Sequence, residues 1–453
     1  MRLKEITIEH FRCFDSYNVE FAPQATVLFG KNGAGKSSLI AAIHKALSFI
    51  FDKNPQIKDD FTLSAGNSQL RVEGFSRSTD MMINPGTGNA FPFIGIHAEG
   101  DYLGQTLLWS IEAPTSTYRL AKSKYKEAFS LFINMTKESW HLPLLAYYSD
   151  GYPHIEAKRK IDKSILKLRN FGYYQWNLES ACSKIWIERL ERTIKSWERL
   201  TRVIQKNKET GDTHNAFYEA SIVELRDASH EIHSIVDCLK SFTEGDNIID
   251  ITDISLGTYD EKLSISTRQG RTYHFRTLPA GYRRLLYIVL DIAYRGFVLN
   301  KDTQSSGIVI IDEIDLHLHP ELEKNVLNRF LKTFPNIQFI VSTHSPLVLT
   351  NLDTENGNRR ILRMTIGESS PTDIGNIYGL DYNSGIEDIM GVGARNEEIE
   401  SLLDTLAFLQ KNDMKEQADN IFKFILEKLG GDENRVKTIL EKRLKEMGNE
   451  IYR

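Results

Sequence analysis

The stretch Gly30-Lys31-Asn32-Gly33-Ala34-Gly35-Lys36-Ser37 constrains this chain more than any other. It satisfies G-x-x-x-x-G-K-[ST] at every fixed position, between an apolar strand candidate (Ala25 to Phe29, ATVLF) and a helix candidate from Ser38 onward (SLIAAIHKALSFIF). A strand that enters a glycine-rich turn and leaves as a helix points successive N–H groups into one concavity. The helix adds the positive end of its dipole. Asn32, Gly33, Ala34, Gly35, Lys36, Ser37 and Ser38 are therefore the candidates for holding a nucleotide. Lys36 supplies a point charge for the β- and γ-phosphates, and Ser37 offers a hydroxyl to Mg²⁺.

Bulk properties narrow the setting. A chain of 453 residues accommodates two or three structural units at about 150 residues each. Its 41% hydrophobic and 26% charged residues suit a globular protein with a large core. The formal net charge of −5 makes the whole chain no polycation, so any DNA contact is expected from a local patch or a partner. Cys13, Cys182 and Cys238 lack metal-ligand spacing and read as reduced thiols of a cytoplasmic protein. The opening MRLKEITIEHFRCF alternates like a strand, so no signal peptide is expected, and no apolar run reaches membrane-spanning length.

Along the chain, residues 3–8 and Tyr17 to Phe21 read as strands. Residues from about 55 to 120 read as an antiparallel sheet with loops, and Leu142 to Tyr148 as a buried strand. Glycine becomes scarce from about 156 to 242. Leu178, Cys182, Ile185, Leu190, Ile194, Trp197, Thr201 and Ile204 recur at helical spacing, with a turn at Lys208–Asp212 and a second helix from about Asn215 to Phe242. That is a helical hairpin. Its cations (Arg189, Arg192, Lys195, Arg199, Arg202, Lys206) alternate with Glu188, Glu191 and Glu198, which favours a solvated, ion-paired face over a DNA-binding one. Strands return at Ile248–Ile254 and Lys262–Thr267, and a strongly apolar helix follows Leu278-Pro279-Ala280-Gly281. Past about 375, LLDTLAFL, ADNIFKFILEKL and VKTILEKRLKEM read as separate amphipathic helices.

Two further strands carry chemistry. Ile308-Val309-Ile310-Ile311 is a fully apolar, parallel-type strand ending in Asp312 and Glu313. Asp312 is placed to reach Mg²⁺ through water, and Glu313 to polarise an attacking water. Asn336 to Thr343 is a second such strand, ending at His344, a candidate sensor of the γ-phosphate.

Together, Gly30–Ser37, the Leu278–Gly281 segment, Asp312-Glu313 and His344 resemble the ABC-type ATPases of the SMC, Rad50 and RecF kind. The resemblance implies an α/β P-loop head, ATP and Mg²⁺ as ligands, and two heads sandwiching two nucleotides, with Ala280 and Gly281 facing the other subunit's phosphate. It casts Arg12, in HFRCF, as an arginine near the nucleotide. Asp315 to Pro320 (DLHLHP) resemble an element of the OLD branch. Two positions depart from the pattern. Pro279 stands where a signature serine would, and no glutamine follows Tyr147-Tyr148. Pro279 suits a first helical turn but offers no donor, which leaves the Ala280 and Gly281 amides and Arg283 or Arg284 to meet a phosphate. Slow or absent hydrolysis, as in a nucleotide-gated clamp, is therefore expected.

The tail, with Ile377-Tyr378-Gly379-Leu380, Met390-Gly391-Val392 and Arg395, is similar to that of ATPase subunits of Septu antiphage systems and some retrons, over essentially the whole chain. That family implies self-assembly and recruitment of a separate HNH nuclease that degrades DNA. The expected organisation is a head (1–155), a helical arm (156–245), the second half of the head (246–370) and a helical region for partner or oligomer contacts (371–453). The alternative is a RecF-like DNA clamp in repair. A transporter motor is disfavoured by HFRCF.

Overall fold

A computed structural model of the protein describes residues 1–54, 70–149, 168–176, 183–213, 215–257, 259–391, 397–412, 414–428 and five positions between 433 and 440. The chain forms two compact units, Met1–Gly379 and Leu380–Arg453.

Two sheets of opposite character organise the first unit. Strands β1 (Arg2–Phe11), β2 (Phe14–Glu20), β4 (Phe93–Tyr102) and β5 (Gln105–Pro114) form an antiparallel sheet in the order β2-β1-β4-β5. Their side chains alternate, with Leu3, Ile6, Ile8, Ile94, Ile96, Trp109 and Ile111 turned inward, as in a sheet wetted on one face. Strands β3 (Ala25–Phe29), β6 (Leu144–Tyr148), β10 (Gly307–Ile311), β11 (Ile337–Ser342), β12 (Arg359–Arg363) and β13 (Thr372–Asp373) form the second sheet, in the order β13-β12-β3-β11-β10-β6. All its pairings are parallel except that of edge strand β13. Every residue of β3, β10 and β11 is buried, which their unbroken apolar runs require of strands covered on both faces.

Buried polar groups join the layers. Gln338 accepts the Leu3 amide at 2.7 Å and donates to the Leu3 and Ala22 carbonyls at 2.7 and 2.9 Å. Helix α1 (Lys36–Leu47) leaves β3 and is held at its far end by the Trp109 indole, which donates to the Ala46 carbonyl at 2.7 Å. Helix α2 (Ser123–Ser139) packs on β5 and was not foreseen from sequence. Its apolar positions are diluted by Lys, Glu and Ser.

The arm consists of α3 (Ser183–Thr210) and α4 (Ala216–Thr243). Of the helical positions expected before it, Leu178 and Cys182 lie outside the described residues, as do residues 55–69 and 150–167. The arm's charges pair partly in the hairpin's interior and partly at its surface. Arg189 forks onto Glu231 at 2.8 and 2.7 Å across the hairpin, Lys195 meets Glu261, and Arg202 meets Glu198 at 3.7 Å. A small antiparallel sheet follows, β7 (Ile251–Leu256), β8 (Leu263–Thr267) and β9 (Thr272–His274), and leads into α5 (Ala280–Asn300).

The head runs past the boundary expected at 370, because β13 pairs Thr372 and Asp373 with Arg363 and Leu362 of β12. In the second unit, the helices Glu397–Lys411 and Lys415–Lys428 pack around Leu403, Leu406, Ala407, Ala418 and Ile425. Most of VKTILEKRLKEM lies outside the described residues.

Candidate nucleotide-binding site

The loop after β3 has the backbone its glycines permit. Gly30, Gly33 and Gly35 take φ of 152°, 85° and 95°. A Cβ on Gly30 would stand 2.3 Å from the Met364 carbonyl oxygen, and one on Gly35 would stand 2.6 Å from Phe14 Cζ. Conformation and space both demand glycine there. Gly35 in the left-handed region is also the N-cap of α1, so the helix starts at Lys36, two residues before the expected Ser38. With no side chain capping it, the N-terminus of α1 presents its amides to the concavity. Asn32 and Ser37 are exposed, while Ala34 is buried and Ser38 half-buried.

Lys36 Nζ donates to the Gly30 carbonyl at 2.8 Å and to the Lys31 carbonyl at 3.4 Å, folding the cation over the loop. Burial lowers its pKa from the ordinary 10.5, while Asp312 and Glu313 act in the opposite direction. The two carboxylates are thus close enough to act on the lysine, and a phosphate in the loop would add to their effect.

Asp312 and Glu313 follow β10, next to β11 in the parallel sheet. The Asp312 amide donates to the Tyr148 carbonyl at 2.8 Å, while the Ser342 hydroxyl donates to Asp312 Oδ1 and accepts the Glu313 amide at 2.8 Å. Glu313 takes φ of 50°, which turns the chain away from the strand. His344 is half-buried two residues beyond Ser342. Thr343 Oγ1 donates to Asp315 Oδ1 at 2.6 Å and the His344 amide to the same oxygen at 3.3 Å. Sequence reasoning missed Ser342. It is a plain strand residue until β10 and β11 are known to be neighbours.

Two positions of the signature segment sit differently from the sequence reading. Arg284 is 2% exposed and donates to the carbonyls of Asp312 at 3.2 Å, Ile314 at 3.3 Å and Leu316 at 3.5 Å. It holds the turn after β10 within its own chain, so it is not a candidate for a neighbour's phosphate. Pro279 is the N-cap of α5 rather than part of its first turn, and its carbonyl accepts the Arg283 amide at 2.9 Å. Ala280 is exposed and Gly281 half-buried at that helix start. A Cβ on Gly281 would approach the His317 carbonyl oxygen to 2.9 Å.

Arg12 has φ of 55°, and its Nε donates to Asp80 Oδ1 at 3.1 Å. Lys45 of α1 meets the other Asp80 oxygen at 3.1 Å. Burial pushes the Asp80 carboxyl up, but the Ser76 amide, Lys45 and Arg12 outweigh it and hold the group below its usual range. Arg12 is thereby tied to the phosphate-loop helix. Where a glutamine would follow β6 stands Ser149, buried and with its hydroxyl unpaired within the described structure.

These residues fit a Mg²⁺–triphosphate. The uncapped start of α1 and the Lys36 cation folded over the loop suit phosphate oxygens, Ser37 and Asp312 would hold the ion, and bound Mg²⁺ would neutralise charge on the phosphates.

Residues 1–349 match the AAA ATPase domain family AAA_15. The chain is 25% identical over 390 residues to the retron Vc95 probable ATPase of Vibrio cholerae serotype O1 biovar El Tor, covering 78% of this chain and 72% of that one. It is 26% identical over 409 residues to the retron Ec83 probable ATPase of Escherichia coli, covering 79% and 71%. It is 40% identical over 75 residues to the Septu protein PtuA of Bacillus mycoides (strain KBAB4), covering 17% and 11%. Among solved structures, the SMC head domain from Thermotoga maritima aligns with a TM-score of 0.40 at 13% identity, over 83% of this chain and 99% of that one. No described helix is long and apolar enough to cross a membrane.

Proposed function

The chain belongs to the AAA ATPase domain family AAA_15, and from that premise we propose that it is the ATPase subunit of an antiphage defence complex. Two copies close head to head around ATP, and the assembly recruits and regulates a separate HNH nuclease that degrades DNA. The observation that carries the ATPase chemistry is the convergence of the Gly30–Ser37 loop, Asp312-Glu313 and His344 at the ends of neighbouring parallel strands β3, β10 and β11. Likeness to the retron ATPases and to PtuA supports the defence setting.

In this reading the loop amides and Lys36 bind and orient the triphosphate, and Glu313 accepts a proton from the attacking water. The water oxygen bonds to the γ-phosphorus as the bond to the β–γ bridging oxygen breaks, and ADP and phosphate leave. His344 meets the γ-phosphate. Ala280 and Gly281 amides at the start of α5 meet the triphosphate held by the other copy. The ion-paired arm gives little support to the alternative, a RecF-like clamp on bare DNA.

Titration with a fluorescent ATP analogue tests the site. Lys36→Ala removes the cation and should weaken binding by at least about a hundredfold, or roughly 3 kcal/mol. Unchanged affinity would refute the assignment.

A further inference from the structure

We infer that Glu323 and Asp315 are positioning residues for ATP hydrolysis, bracing from opposite sides the turn that presents His344. The inference rests on the reading of His344 as the γ-phosphate contact. At and just beyond the end of β11, three hydroxyl side chains donate to three carboxylates of the segment that follows β10. Ser342 reaches Asp312, Thr343 reaches Asp315 at 2.6 Å, and Ser345 reaches Glu323 Oε2. Thr343 is fully buried and Ser345 nearly so, whereas His344 between them is half-buried. A buried hydroxyl donating to a carboxylate makes a short, charge-assisted bond that fixes its rotamer. Thr343 Oγ1 also accepts the Ser345 amide at 3.0 Å, and Ser345 Oγ accepts the Leu347 amide at 3.1 Å. Both neighbours of His344 are therefore held at side chain and backbone, and the His344 amide is bonded to Asp315, which fixes the backbone that presents the imidazole.

Glu323 is a costly way to hold a turn. It lies on a helix of four residues, Pro320–Glu323. Burial raises its pKa, the Ser345 hydroxyl opposes that, and Asp315 pushes it up again. A stabilising contact alone would be served as well by a neutral acceptor, whereas a carboxylate gives the tighter bond to Ser345. The bracing segment also adjoins the start of α5 through the His317 carbonyl beside Gly281. The groups that orient His344 are thus on the same short stretch that touches the Ala280–Gly281 turn.

The test compares Glu323→Ala, His344→Ala and the double variant in the full chain, by steady-state ATP turnover, affinity for a non-hydrolysable ATP analogue and hydrogen–deuterium exchange. Glu323→Ala should lower kcat by roughly ten- to a hundredfold, the scale for a displaced reacting group. Nucleotide affinity should stay as in the parent protein, while the melting temperature falls by no more than the few degrees that one lost buried hydrogen bond costs. The double variant should be no slower than His344→Ala alone, Glu323→Asp should recover part of the loss, and exchange should quicken in the peptide covering residues 342–350. Parent-like turnover and exchange in Glu323→Ala beside an impaired His344→Ala would overturn the inference. So would a rate loss that tracks falling melting temperature and affinity. An unimpaired His344→Ala would instead overturn the reading of His344 itself.

Discussion

Replacing Arg284 with alanine separates two roles for this residue. If it faces a neighbour's triphosphate, its loss weakens nucleotide-driven association and leaves the monomer's stability alone. The geometry gives the opposite result. The guanidinium is 2% exposed and donates to three carbonyls at 3.2, 3.3 and 3.5 Å. Truncation strands those carbonyls and opens a cavity beneath the turn after β10. Only the first bond is within ordinary length, so the three together are worth less than three charged hydrogen bonds of about 1.5–3 kcal/mol each. With the lost packing, a total of roughly 3–5 kcal/mol follows. At about 2 °C per kcal/mol for a large domain, the melting temperature should fall by roughly 6–10 °C. Differential scanning fluorimetry of the nucleotide-free monomer reads this directly. An unchanged melting temperature, with nucleotide-dependent association lost, would refute the argument and return Arg284 to the phosphate.

Two further outcomes follow. His44 is buried in α1 beside Tyr147 and Trp176, with its pKa lowered to about 3 by burial and, to a lesser extent, by Lys45. Between that value and the ordinary 6.5 the unfolded chain binds a proton that the folded chain does not, so stability should fall as pH drops below about 6.5, by up to about 1.4 kcal/mol per pH unit. Urea melts of His44→Leu across that range should lose this slope, and an unaltered slope would assign it to other groups. Asp291, which is fully buried, accepts Tyr148 Oη at 2.7 Å, Arg295 Nε at 2.6 Å and the Trp186 indole. Asp291→Asn leaves Arg295 buried without its ionised partner and should cost about 3–5 kcal/mol in urea melts. A cost below about 1 kcal/mol would show the cluster to be weakly coupled.

What could be read in advance divides along a physical line. The phosphate loop, the strand ending at Asp312 and the strand ending before His344 were legible because each is a local pattern, an unbroken apolar run followed by polar chemistry. The arm was legible from its helical periodicity and the Arg202–Glu198 pair from interleaved charges, whereas the Arg189–Glu231 pair spans the hairpin and was not. Ser342, Glu323 and the true role of Arg284 were not legible, since each acts across 22 to 32 residues of sequence through contacts that exist only once the sheet is ordered. Pro279 misled by one position. The proline preference for a first turn yielded to its role as the extended residue that starts α5, at ψ 143°. Helix α2 escaped notice because its buried residues, Tyr125, Ala128, Phe132, Ile133, Met135 and Thr136, stand in a strongly polar background of Lys, Glu and Ser.

The central claim is that two copies close around ATP, each completing the other's site with its Ala280–Gly281 turn. Glu313→Gln keeps the shape of the side chain while removing the base, so ATP-bound assemblies should accumulate. Native mass spectrometry with Mg²⁺ and ATP should then show a species of at least twice 51.9 kDa. That species should vanish with ADP and with the added substitution Ala280→Asp, an exposed position where a carboxylate repels a triphosphate. A mass that ignores ATP, or an assembly indifferent to Ala280→Asp, would contradict the shared site.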